Sequence, residues 1–397
     1  MRMGQLTRFD VTTLPLMTRR NTEQLLLATT ADKRISLINA SQNTLQTSFS
    51  SIHDAPTLST RKIFDDLLLS ASMSGQLHLS TLSGKTISQR RDHNKYIVKI
   101  ATFTNSLRNE TIIATAGWDN KVILYRITSS DDTTTPSLPE PFATIPLQTK
   151  PEAIIFARHP SNNEPVLILS RTDTNNIFYY TVETPNPRLL GQQNLAPQSN
   201  AWVAFTPSAL EICPTDETLL AVGTSSIPHM KLLIVRLLFP SWDPEPERPA
   251  PTALRTSLLD ENLPVLNHDD GTLQGPQQQQ ETQASQARRQ LVIAEREFAA
   301  IQIHSTTMAP QTAYSTPAVA WRPDGSGVWV NGDDGAVRGI EATTGKVVRT
   351  LREGGHEPGS KVRCLWAGMV RGEEEDGKKR EIMVSGGFDR KLIVWSV

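Results

Sequence analysis

The 397-residue sequence predicts an all-β fold assembled from repeated hairpins. A phrase near the end of the chain, residues 381–397 (EIMVSGGFDRKLIVWSV), lies over residues 111–127 (TIIATAGWDNKVILYRI). Ile, Gly, Asp, Lys and Ile coincide, and hydroxyl, aromatic and aliphatic positions agree in kind. Self-similarity over so long a separation is the mark of a repeat architecture. Short apolar runs also recur between turn residues, at 25–28, 67–69, 112–114, 166–169, 219–222, 328–330 and 382–384. They are too short for helices and too continuous for a sheet with one wet face, so they read as strands covered on both sides.

The shared phrase has a physical logic. Asp119 and Asp389 sit where a tight turn joins two strands, and an Asp carboxylate can accept from the turn's own amides. A hydroxyl precedes each (Thr115, Ser385) and an aromatic donor follows (Tyr125, Trp395). A His stands upstream of each in a loop, His93 in RDH and His356 in GGH. Such a set can form a buried chain of hydrogen bonds, each worth about 1 kcal/mol net. Here the sequence resembles the WD-repeat β-propeller family, whose blades carry a His–Ser/Thr–Asp–Trp set. His356, Ser385, Asp389 and Trp395 match it fully; His93, Thr115, Asp119 and Tyr125 match with Tyr for Trp.

The resemblance spans nearly the whole chain as one domain, residues 1–397. Turns equivalent to Asp389 fall at Asp32, Ser74, Asp119, Asp173 and Asp334, and a further strand pair at 218–224 and 231–239 fills the long gap. The expectation is a seven-bladed β-propeller, the residue 5–11 segment supplying the outer strand of the last blade and closing the ring. Closure would remove exposed sheet edges.

Residues 240–297 break the pattern as an insertion in blade five. SWDPEPERPAPT is Pro-rich and acidic and PQQQQETQ is a polar tract, compositions that predict disorder. A short helix is expected near the end of the insertion, over 284–298. Residues 129–141 and 371–380 read as lesser insertions on the same rim.

Composition narrows function. Forty basic against 41 acidic side chains leave a net charge of −1, so no global field draws the chain to nucleic acid or membrane. Arg90, Arg91, Lys95 and Tyr96 mix charge with an aromatic, but without a wider basic excess they read as a polar rim. Two cysteines, Cys213 and Cys364, fit a reducing compartment, and neither a membrane span nor a secretion signal is visible. Lys378, Lys379 and Arg380 could serve as a nuclear address but lie beside an acidic run, so the expected location is the cytoplasm, the nucleus or both. No phosphate loop, nucleophile elbow or zinc spacing is present, which argues against an enzyme and against any cofactor, metal or small-molecule substrate.

The resemblance implies a platform for other proteins, docked on the face that bears the turns between second and third strands. The residue before each turn Asp would point into that face: Trp118, Thr172, Asp333, Phe388, and Met73 before Ser74. Trp118 and Phe388, with Lys121, Arg390 and Lys391 around them, are the expected docking residues, since aromatic anchors ringed by charge make interface hot spots. The expected function is a non-catalytic interaction scaffold in an intracellular multiprotein complex. The alternative is the substrate receptor of a ubiquitin ligase; the Trp-Asp-x-Arg sequence such receptors often carry is only echoed here by Tyr125 and Arg126.

Overall fold

A computed structural model describes residues 11–17, 22–29, 33–39, 44–50, 53–64, 67–105, 108–128, 137–182, 185–201, 203–243, 283–371 and 379–397. Blade one holds β1 (Val11–Met17), β2 (Thr22–Thr29), β3 (Arg34–Asn39) and β4 (Thr44–Ser50). Blade two holds β5 (Thr57–Ile63), β6 (Leu67–Ser72), β7 (Leu77–Thr81) and β8 (Thr86–Arg90). Blade three holds β9 (Ile97–Asn105), β10 (Glu110–Gly117), β11 (Lys121–Thr128) and β12 (Ala143–Pro146). Blade four holds β13 (Pro151–Arg158), β14 (Pro165–Arg171), β15 (Asn176–Thr181) and β16 (Leu189–Asn194). Blade five holds β17 (Pro207–Ile212), β18 (Leu219–Thr224) and β19 (His229–Arg236); helix α1 (Gln283–Ala300) then leads into its outer strand, β20 (Ile301–Pro310). Blade six holds β21 (Val319–Trp321), β22 (Gly327–Asn331), β23 (Val337–Glu341) and β24 (Val347–Leu351). A terminal sheet holds β25 (Val362–Arg371), β26 (Lys379–Gly387) and β27 (Leu392–Ser396).

Within each sheet, strands pair antiparallel in chain order. The first strand of each sheet touches the first strand of the next, and β25 returns to β1. The fold is an all-β propeller.

The expectation of seven blades closed by an N-terminal strand is corrected. Six blades are complete four-stranded sheets, and the terminal sheet has three strands. Val11, placed in the closing strand by the sequence, belongs to β1 and pairs with Ala28 of blade one. Residues 5–10 lie outside the described residues, as do 129–136, 244–282 and 372–378, where most of the expected insertions fall. The terminal sheet joins blade one through side chains: Leu26, Ala28 and Ile38 share a core with Val370, Val384 and Leu392.

Among the described residues, second strands are buried along most of their length because a sheet lies against each face. All six residues of β6 and all five of β22 are buried. The apolar clusters therefore sit between sheets, as where Phe103, Ala114 and Leu124 of blade three meet Phe156, Leu167 and Phe178 of blade four. Among the described residues no helix is long and apolar enough to cross a membrane.

Candidate protein-docking face

The turn between second and third strands is built alike in blade three and the terminal sheet. Strands β10 and β11 close on the pair Gly117↔Lys121, leaving Trp118, Asp119 and Asn120 to make the turn. The residue after each Asp takes a left-handed backbone, Asn120 at φ 61° and Arg390 at φ 62°. The same place in blades two and six is Gly75 and Gly335. Gly sits two residues before each Asp for a packing reason. A Cβ on Gly117 would collide with His93 Nδ1, and one on Gly387 would lie 2.7 Å from His356 Nδ1.

In the terminal sheet the four side chains form one directed chain. Trp395 Nε1–H donates to Ser385 Oγ at 2.9 Å. Ser385 Oγ lies 2.9 Å from His356 Nε2, and His356 Nδ1 lies 2.8 Å from Asp389 Oδ1. A carboxylate only accepts, so Nδ1 carries the proton and Nε2 accepts from the serine. The other carboxylate oxygen accepts the Glu357 amide at 3.0 Å, tying the turn to the loop that enters the sheet.

Blade three keeps the first half. His93 Nδ1 bonds Asp119 at 2.9 Å, His93 Nε2 bonds Thr115 at 2.9 Å, and Asp119 accepts the Asn94 amide at 3.1 Å. Burial holds the His93 pKa below its ordinary value although Asp119 pulls it up. Tyr125 departs from the Trp role, because its phenol donates to Asp92 Oδ2 at 3.0 Å. Arg90 clamps that same carboxylate through two nitrogens.

Other blades solve the problem differently: His53 and Asp334, both marked by the sequence, find partners there that it did not predict. In blade two, His53 Nε2 bonds Ser70 Oγ at 2.8 Å, and the His78 ring stacks on His53 with centroids 3.8 Å apart. In blade six Arg338 and Arg352 hold Asp334 at 2.7 and 2.6 Å, an ionic clasp with no histidine in it. Val330 stands at the hydroxyl position and cannot take that role; the next residue, Asn331, donates to the Val362 carbonyl across the sheet boundary. Blades five and six are joined by Glu211 of β17, whose carboxylate accepts the Trp321 amide at 3.1 Å while the Trp321 indole donates to the Glu211 carbonyl at 2.9 Å. Loss of solvation pushes the Glu211 pKa up to about 8, against the opposing pull of Lys99 and Arg61.

One backbone contact repeats around the ring. The amide of the residue opening the turn donates to the carbonyl just before the first strand of the same sheet: Met73 to Pro56, Trp118 to Tyr96, Thr172 to Lys150, Ser225 to Thr206 and Phe388 to Lys361, all at 2.8–3.0 Å; in blade six Asp333 donates instead to Pro310 at the end of β20. These amides are spent on the frame, and their side chains stand at equivalent positions on one face.

Trp118 is 37% exposed and Phe388 49% exposed. Trp118 stacks on Tyr96 with centroids 5.2 Å apart and carries Lys150 Nζ 4.9 Å from its ring. Phe388 carries the Arg363 guanidinium at 4.4 Å. The two aromatics belong to sheets that are not neighbours, so they make two separate stations. Of the basic residues expected around them, Arg390 is exposed and Lys121 half-buried. Lys391 is drawn to Glu357 at 2.8 Å and to Asp389 at 3.8 Å. Within the cluster weighed for nucleic acid, Arg90 is held by Asp92 and Tyr96 by Trp118, leaving Arg91 and Lys95 exposed. Among the described residues no group of three or more His, Cys, Asp or Glu side chains could hold a metal ion.

The sheets form a closed ring that presents turns and loops. The family described as "UCP007778, beta-propeller domain" matches residues 5–396, and the chain belongs to that family. Among solved structures it is similar to the Myceliophteria thermophila Cps50 (Swd1) beta-propeller domain, with a TM-score of 0.57 and 12% identity over 100% of this chain and 99% of that one. At that identity the likeness is one of fold. No curated protein matches the sequence.

Proposed function

We propose that this protein is a non-catalytic interaction scaffold of the WD-repeat kind, and that partners dock on the face carrying Trp118, Lys121, Phe388, Arg390 and Lys391. The observation that carries this reading is the repeated backbone contact. It fixes the residue that opens the turn at the same place in five sheets, and at two of those positions the side chain is a large, exposed aromatic. Packing within the sheet does not call for a ring there, whereas an interface anchor does. The partners are other proteins in an intracellular complex, in the cytoplasm or nucleus. Burial of Cys213 and Cys364 as thiols supports that setting.

The ligase-receptor reading is weaker. Arg126, the nearest counterpart of the arginine those receptors present, pairs with Glu110 at 3.0 Å and lies over the Phe142 ring. It is committed within its own blade.

The test is the double variant Trp118→Ala, Phe388→Ala, compared with wild type by proximity labelling in cells and by thermal melting. Loss of a defined set of labelled partners with an unchanged melting temperature supports the docking face. An unchanged partner set removes these residues from it.

A further inference from the structure

Helix α1 touches the propeller along a narrow line near its C-terminal end. Glu297 and Ala300 are buried, a Glu297 carboxylate oxygen accepts the Asn194 amide at 2.7 Å, and Ala294 one turn earlier stays partly open. From 284 to 293 every residue is exposed. Leu291 and Val292 are each 63% exposed, Phe298 50% and Ile293 48%. A helix of this length has little stability of its own in water, because most helical stability comes from burying an apolar face. Of the four, Leu291 and Phe298 lie seven residues apart on one face of the helix and mark a contact surface.

The spacing describes the contact. Ala284, Ala287, Leu291, Ala294 and Phe298 alternate by three and four, the period of a seam between two paired helices. At 3.6 residues per turn the seam lies about a quarter-turn from Glu297, so a second helix can lie alongside without displacing that anchor.

The pattern also selects the occupant. With a two-fold axis between Val292 and Ile293 and a second copy running antiparallel, Phe298 meets Ala287 and Leu291 meets Ala294. Each large side chain then faces a small one. Along one flank Arg288 comes opposite Glu295, while Arg289 and Arg296 point away from the seam. A parallel pair would instead set Phe298 on Phe298 and Leu291 on Leu291, and would put Arg288 and Glu295 opposite Gln283 and Gln290 rather than opposite each other. We propose that the protein self-associates through α1 as an antiparallel, two-fold symmetric helix pair. One helix pair about 27 Å long covers less than the roughly 800 Å² per partner of a standard interface, so the dimer is weak and concentration-dependent.

The test is sedimentation equilibrium of the full chain over about 1–200 μM, a range suited to an interface below standard size. Wild type is expected to pass from monomer to dimer. Arg288→Glu and Glu295→Arg should each raise the dissociation constant about tenfold or more, and the double exchange should restore it to within about threefold. Both substitutions are at exposed positions, and all three variants should leave the circular dichroism spectrum unchanged. A chain monomeric at every concentration overturns the proposal. So does a dimer indifferent to the single reversals, which would place the interface elsewhere. A monomer in which Leu291→Glu lowers the melting temperature would show the seam covered within the chain, and would overturn it equally.

Discussion

Tyr125 donates its phenolic proton to Asp92 across 3.0 Å, whereas its counterpart Trp395 donates to Ser385 at 2.9 Å. The aromatic donor thus ends on the entering loop in blade three and on the second strand in the terminal sheet. Removing the hydroxyl in each place should then have unequal effects. Ser385→Ala strands two buried groups, the Trp395 N–H and His356 Nε2. Thr115→Val strands His93 Nε2, while Tyr125 keeps its bond to Asp92. An unsatisfied buried group costs about 1–3 kcal/mol. Urea unfolding should show Ser385→Ala less stable by about 2–4 kcal/mol and Thr115→Val by about 1–2 kcal/mol. Equal losses would contradict the difference in wiring.

Acid should weaken blade two first. Burial lowers the His53 pKa from 6.5 to about 3, and the stacked His78 pushes it the same way. The folded state therefore refuses a proton that the unfolded chain accepts below pH 6.5. This contribution to stability is fully present above 6.5 and is lost as pH falls toward about 3, at a maximum slope of about 1.4 kcal/mol per pH unit. His53→Gln removes the titration and keeps a side chain able to bond Ser70. Its stability, measured by urea unfolding between pH 7 and 4, should fall less steeply than that of wild type.

Glu211 should act in the opposite sense. Its folded pKa, about 8, stands above the ordinary 4.5, so the folded state holds a proton that the unfolded chain has released. Stability from this group is fully present below 4.5 and declines as pH rises toward 8. The side chain is only partly enclosed, so the expected loss is about 1–2 kcal/mol, well under the full conversion of the shift. Glu211→Gln, which can still accept from the Trp321 amide, should flatten the decline and be the more stable protein at pH 8. If wild type and variant keep parallel profiles from pH 5 to 8, the carboxyl is ionised in the fold.

What the sequence revealed, and what it hid, follows from the range of each interaction. The His93 and His356 sets were readable because their members lie within one repeat, at spacings fixed by a three-residue turn. Blade six hid its clasp: Arg338 and Arg352 do electrostatically what histidine does elsewhere, and neither residue type carries that signature in a sequence. The stacking of His78 on His53 escaped for a similar reason, because Ser74 stands where the turn Asp would have drawn attention. Glu211 and Trp321 are separated by 110 residues and meet only because two first strands are neighbours in the ring. Strand completeness was no better marked, since apolar runs report buried inner strands while outer strands such as Val347–Leu351 are mostly exposed.

The final prediction separates frame from face at a single residue. Arg390 holds φ at 62°, a backbone region that costs a side-chain-bearing residue about 1 kcal/mol or more and costs glycine almost nothing. Its amide donates to the Gly387 carbonyl within the turn, and glycine retains that bond. Arg390→Gly should therefore raise stability by about 0.5–1 kcal/mol, set against a somewhat more flexible unfolded chain. If Arg390 serves the docking face, the same variant should bind partners less well while melting at a higher temperature, a pairing that no packing defect produces. A variant that melts lower would show the guanidinium supporting the fold. One that melts higher with undiminished partner labelling would take Arg390 out of the docking face and leave the aromatic stations to carry it.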